Sequence, residues 1–304
     1  MSRWFEIRVA VSPEGADALS SFLMEQGSCG LESCSSDEIG RSDETVVLRA
    51  YFERREDRTA EELFTIVRRY VDALGALKAV VQAQVSVHDV EEADWEAGWR
   101  AHFGIVRVGT RIVVRPSWVS YEARPGEIVL VIDPKMAFGV GTHPTTRLGL
   151  IALEEQIEPG DAALDVGTGT GILAIAAAKF GAERVVGVDV DEDAVRNARE
   201  NVRLNGAENR VRIEQGTIDA AVGDVFNVIA ANIRFDVLSS MLDSIARALT
   251  PDAMALFSGL LVQEERAFAD RLSEAGFRIS GTDRLGEWIA FRTIRRADRC
   301  LVST

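Results

Sequence analysis

Apolar positions in the first 90 residues follow two alternating periods. Phe5, Ile7, Val9 and Val11 alternate with Glu6, Arg8 and Ala10, the period-two pattern of a half-buried strand. Ser12 then offers a helix N-cap with Pro13 in the first turn, and Ala16, Leu19 and Leu23 keep helical spacing up to Gly27. Strand-like runs follow at 30–34 and 45–52. Thr59 and Glu62 have capping-box spacing. The helix they open carries Leu63, Ile66, Val67, Tyr70 and Leu74 on one face and stops at Gly75. Val81, Ala83, Val85 and Val87 alternate again. The order β-α-β-β-α-β predicts a ferredoxin-like α+β domain over residues 1–90, a fold that by itself names no function.

Residues 91–125 read as a connector, a linker helix and connecting strands. Trp95 and Trp99, four apart, share one face of that helix, where core packing accounts for them better than ligand binding. Strands are expected at 112–115 and 128–132. The pattern then changes. Ala162–Val166, Arg184–Val188 and Val225–Ala230 are short apolar runs without alternation, as strands buried on both faces of a parallel sheet are. Helical segments separate them: Ile172–Phe180 closed by Gly181, and one capped by Asp191 and stopped at Asn205-Gly206. Residues 126–304 are therefore expected to form an α/β, doubly wound, Rossmann-like domain.

Composition narrows the function classes. The net charge is −14, and residues 1–90 hold 10 Lys/Arg against 16 Asp/Glu. A phosphate-gripping protein usually shows a basic balance, so direct nucleic-acid binding is not expected; the acidity suits a basic partner or simple solubility. Three cysteines (Cys29, Cys34 and Cys300) without CxxC spacing argue against a disulfide framework or a metal site. The longest apolar run, Ile172–Ala178, falls far short of the roughly 20 residues of a membrane span, and no signal peptide is visible. A cytoplasmic protein with no membrane partner is the expectation.

The candidate chemistry lies where strands end. Asp165-Val166-Gly167-Thr168-Gly169-Thr170-Gly171 joins a strand to a helix. Its glycines let a ligand approach the backbone, and the helix start offers free N–H groups. A nicotinamide fingerprint needs G-x-G-x-x-G, but position 172 is Ile. A carboxylate at Asp165 repels a pyrophosphate; it suits the sulfonium and ammonium charges of S-adenosylmethionine. Asp189 ends the next strand about 20 residues on, where an acidic side chain accepts from ribose hydroxyls; a plain helix-start carboxylate is its bland alternative. Asn232 ends the following strand, either orienting a substrate amine or serving as a turn asparagine. In Gly139-Val140-Gly141-Thr142-His143-Pro144-Thr145-Thr146 the glycines allow a loop to fold over a ligand. His143 is a base or a structural hydrogen-bonder.

Asp133-Pro134-Lys135-Met136-Ala137-Phe138-Gly139-Val140-Gly141-Thr142-His143-Pro144-Thr145-Thr146 closely resembles a loop of the bacterial ribosomal-protein methyltransferase family PrmA. The resemblance extends to Trp95/Trp99, Arg115-Pro116-Ser117-Trp118, the Gly167 loop, Asn232-Ile233 and Glu287-Trp288. It implies an enzyme, an S-adenosylmethionine-dependent protein-lysine N-methyltransferase. Its partner would be a basic ribosomal protein, the eleventh of the large subunit, modified on lysine side-chain and N-terminal amines. By motif position the family's cofactor contacts fall on Thr146, Gly167, Asp189 and Asn232; Asp165, Gly169 and Thr142 join them from the reading above, with Asn232 also the catalytic orienting residue. The alternative keeps the cofactor and changes the acceptor to another protein's lysine or a small molecule. Two departures from the family pattern, Lys135 and Arg234-Phe235-Asp236, border the expected substrate entrance.

Overall fold

The computed structural model describes residues 4–295, apart from 13–14, 17–18, 21, 24–25, 29, 36–45, 55–58, 77–83, 91–102, 135–138 and 222. The expected linker helix with Trp95 and Trp99, and Lys135, lie outside the described residues. The chain divides into two compact units, Met1–Phe103 and Gly104–Thr304.

The first unit holds strands β1 (Trp4–Val11), β2 (Gly30–Ser35), β3 (Val46–Glu53) and β4 (Gln84–Val90) and helix α1 (Ala60–Ala76). The sheet order is β2-β3-β1-β4, every neighbouring pair antiparallel. The described positions between 15 and 23 are helical. Ala16, Leu19 and Leu23 join Leu63, Val67 and Val71 of α1 over Phe5, Ile7 and Val9 in one core. Each side chain of that size taken out of water contributes about 1.5–3 kcal/mol. The capping box forms: Thr59 Oγ1 accepts from Glu62 N at 3.2 Å, and the Glu62 carboxylate accepts from Thr59 N at 2.9 Å.

The second unit opens with β5 (Val106–Val108), β6 (Ile112–Arg115) and β7 (Ile128–Val131) in one small sheet. The chain then runs through α2 (Pro144–Gln156), β8 (Ala162–Val166), α3 (Ile172–Phe180), β9 (Arg184–Asp189), α4 (Glu192–Leu204), β10 (Val211–Gln215), β11 (Phe226–Asn232), α5 (Phe235–Ala248), β12 (Leu249–Leu261), α6 (Glu265–Glu274), β13 (Phe277–Leu285) and β14 (Trp288–Arg295). The large sheet has the order β10-β9-β8-β11-β12-β14-β13. It is parallel except where β14 runs against β12 and β13. From β8 the chain winds outward to β10, then returns to the other side at β11. This is the doubly wound, Rossmann-like arrangement, and the reversal between β8 and β11 is its switch point, where ligands bind at strand carboxyl ends. Two cores cover the two faces, one built on α3 and Leu256, the other on Phe226, Phe257 and Phe268.

Candidate active site

The glycine-rich loop closes tightly against the neighbouring strand. Gly167 N and Thr168 N both donate to Val188 O, at 2.9 and 3.0 Å. Gly167 has φ 71°, and a Cβ there would stand 2.8 Å from the Ile233 side chain, so only glycine fits. Asp189 locks the loop from outside: its carboxylate accepts from Gly169 N at 2.9 Å and from Asp191 N at 3.1 Å. Asp191, as expected, caps α4, accepting from Asp193 N.

Asp165 is the electrostatic centre. Its carboxylate is 2% exposed. One oxygen accepts the Thr168 hydroxyl at 2.6 Å and the Ala174 N–H at 3.1 Å, answering one of the orphan donors of the α3 N-terminus. The other oxygen, Oδ1, is buried without a hydrogen-bond partner. Burial pushes its pKa up to about 6, against the pull of those two hydrogen bonds. An acceptor-only group held dry with a free oxygen suits a cation or N–H donor.

On the adjacent strand stands Asn232. Ala230 of β11 pairs with Asp165, and Asn232 pairs with Ser258 of β12. The Asn232 side-chain carbonyl is also buried without a partner. Thr146, in the first turn of α2, is fully buried with an unpartnered hydroxyl. Asp165, Gly167, Gly169, Asp189 and Asn232 are thus gathered at the switch point. Thr142 is exposed, whereas Thr145 and Thr146 are buried.

His143 is the N-cap of α2, accepting from Thr145 N, and its Nδ1 lies 2.7 Å from the Thr145 hydroxyl. Its ring meets Trp288 edge-on at 4.8 Å. Burial lowers its pKa, against the opposing charge of Glu287. In this structure His143 caps a helix and packs on Trp288.

Around the start of the 133–146 loop, Asp133, Pro134 and Gly139 are held by residues that the sequence reading missed. The Thr170 hydroxyl donates to Gly139 O. Asn205 exchanges hydrogen bonds with the Val131 backbone at 3.0 and 2.7 Å. Asn201 accepts from Asp133 N and donates to Thr170 O, both at 2.9 Å. Asn197 donates to Pro134 O. The spacing of these three asparagines, four residues apart, puts them on one face of α4 and was the signal available. The Asp133 carboxylate in turn accepts from Ser117 N and its hydroxyl, both at 2.7 Å. Arg115 clasps the Pro116 and Val119 carbonyls, each at 2.9 Å. The Arg115-Pro116-Ser117-Trp118 motif therefore supports the loop.

Arg234 and Asp236 are exposed and paired at 3.3 Å with side-chain exposures of 82% and 67%. Phe235 turns inward onto Phe268, centroids 5.9 Å apart.

Comparison with known proteins agrees with this geometry. The family model described as ribosomal protein L11 methyltransferase (PrmA) matches residues 3–296. A ribosomal protein L11 methyltransferase of Geobacter metallireducens is 39% identical, covering 94% of this chain and 96% of that protein. One from Shouchella clausii is 35% identical, covering 95% and 97%. The crystal structure of a ribosomal protein L11 methylase from Lactobacillus delbrueckii subsp. bulgaricus superposes with a TM-score of 0.61 at 30% identity, covering 64% of this chain and all of that one. With the glycine loop, Asp189 and Asn232 at the switch point and the match running almost end to end, the chain belongs to the ribosomal protein L11 methyltransferase (PrmA) family.

Proposed function

We propose that this protein transfers methyl groups from S-adenosylmethionine to lysine side-chain and N-terminal amines of ribosomal protein L11. The observation that carries the reading is the pair of buried acceptor oxygens, Asp165 Oδ1 and Asn232 Oδ1, left without partners at the switch point. Unmet acceptors of this kind cost about 1–3 kcal/mol each and call for a ligand rich in N–H or positive charge. Asp165, Gly167, Gly169, Asp189, Asn232 and Thr146 would hold the cofactor, Asp189 at the ribose. When bound, the cofactor supplies an electrophilic sulfonium methyl group.

The protein's own work is to present a neutral amine in line with that methyl. A lysine of pKa ~10.4 costs about 4 kcal/mol to neutralise three pH units lower; burial and a nearby cation reduce that cost. Asn232 would accept one N–H of the amine and fix its approach, and a well-held near-attack geometry is worth roughly 7–11 kcal/mol. His143 is engaged as a helix cap, so no side-chain base is assigned.

The N-terminal unit would bind the protein substrate as a ferredoxin-like recognition domain over residues 1–90, with 91–125 as connector and 126–304 as the methyltransferase domain. Its strand order β2-β3-β1-β4 and separate core support this reading. A cytoplasmic setting goes with a ribosomal substrate, and direct nucleic-acid binding is not part of the proposal. Among the described residues no helix is long and apolar enough to cross a membrane. Calorimetric titration tests the cofactor: S-adenosylmethionine should bind and NADH should not. Binding of NADH alone would overturn the proposal.

A further inference from the structure

We infer that Ser258 is a further binding residue of this site, its hydroxyl accepting a hydrogen bond from an amine or ammonium group of the ligands. The inference rests on the methyl-transfer reading above. Ser258 is 1% exposed and its Oγ has no hydrogen-bond partner. On β12, Met254 and Leu256 face the same core as Val228 and Ala230 of β11. By alternation, Ser258 and its register partner Asn232 project from that same face.

Helix α2 packs over this face. A Cβ built on Gly149 would lie 3.8 Å from Ser258 Oγ, and Thr146 is one helical turn earlier on the same side of α2. Three unpartnered oxygens, from Ser258, Asn232 and Thr146, thus come from three different elements at the carboxyl edge of the sheet. Buried polar groups are nearly always paired, so three together without partners mark a place where a ligand completes the bonding. The carboxamide oxygen can only accept, and each hydroxyl can accept, so the matching chemistry is a group with several N–H donors. Two sources carry it: the ammonium of the cofactor's amino-acid end, and the acceptor amine of the protein substrate. A Cβ at Gly149 would crowd the Leu173 side chain at 3.2 Å and stand at van der Waals distance from Ser258 Oγ, so the glycine lets α2 lie close over Ser258.

Ser258→Ala tests this, compared with wild type by thermal unfolding without ligand, by calorimetry with S-adenosylhomocysteine, and by steady-state methylation of purified L11. The ligand-free Tm should be equal or higher, because an unpaired buried hydroxyl is removed. A rise in the Kd for S-adenosylhomocysteine of roughly tenfold, about one charged hydrogen bond, supports the role and assigns it to the cofactor's ammonium. An unchanged Kd with kcat lowered by a similar factor supports it and assigns it to the acceptor amine. Binding and turnover both within about twofold of wild type, whatever the ligand-free Tm, would overturn it. Wild-type protein that fails to bind S-adenosylhomocysteine would overturn the proposed function as well, so the two failures are distinguishable.

Discussion

The hydroxyl of Thr170, inside the glycine-rich loop, donates to the main-chain carbonyl of Gly139, 31 residues earlier in the chain. One side chain thereby couples the loop leading to His143 to the loop that would cradle the cofactor. Thr170→Val keeps the shape and deletes this bond, leaving a buried carbonyl unmet. S-adenosylmethionine affinity should fall on the order of tenfold, with faster amide exchange at 139–142 in hydrogen-exchange measurements. Thr170→Ser should restore both. Equal affinity in the Val and Ser variants would contradict the coupling.

Asp165 makes the site sensitive to pH. Its folded pKa of about 6 lies above the ordinary 3.8. Stability associated with its neutral form is fully present below about pH 4 and is lost as pH rises through 6. A two-unit shift corresponds to about 3 kcal/mol. Asp165→Asn should therefore flatten that part of the pH–stability curve and be no less stable than wild type at pH 7.5. Affinity for the cationic cofactor should move the opposite way, weakening in wild type between pH 7.5 and 5.5 and losing this dependence in the variant. Parallel wild-type and variant curves, by thermal unfolding and calorimetry, would refute the assignment.

Asn232→Ala removes an acceptor that has no internal partner, so its effect on Tm should be small. Turnover should drop on the order of a hundredfold, as when a reacting group loses its alignment. Unchanged kcat with L11 as substrate would rule out the orienting role.

The second unit carries the whole candidate site and its own two cores. A fragment spanning Gly104–Thr304 should bind S-adenosylhomocysteine within a few-fold of the full chain while losing methylation of L11. If the fragment methylates L11 at the full-length rate, substrate recognition does not belong to the N-terminal unit.

Much of this architecture was legible in the sequence because local rules agree with the fold. Helix α3 runs from Ile172 to Phe180 and closes at Gly181, and Asp191 caps α4, both as spacing and cap chemistry indicate. Asp165 and Asp189 were legible because a carboxylate flanking a glycine turn at a strand end is chemically unusual. Ser258 was not, since its significance depends on a register with Asn232 that only the folded sheet creates. The asparagines of α4 were also missed: Asn201 answers Asp133, 68 residues away, and nothing local marks that partner. Sequence alone does not separate Thr142 from Thr145 and Thr146. The start of α2 separates them, leaving the residue before the His143 cap exposed while the helical threonines turn inward.

The most direct test of the central claim is transfer itself. The purified protein would be incubated with tritiated S-adenosylmethionine and ribosomal proteins from a strain lacking this enzyme, then resolved by gel autoradiography. A single labelled band at L11 is the predicted result. No label at L11, from a preparation that binds the cofactor by calorimetry, would contradict the proposed acceptor.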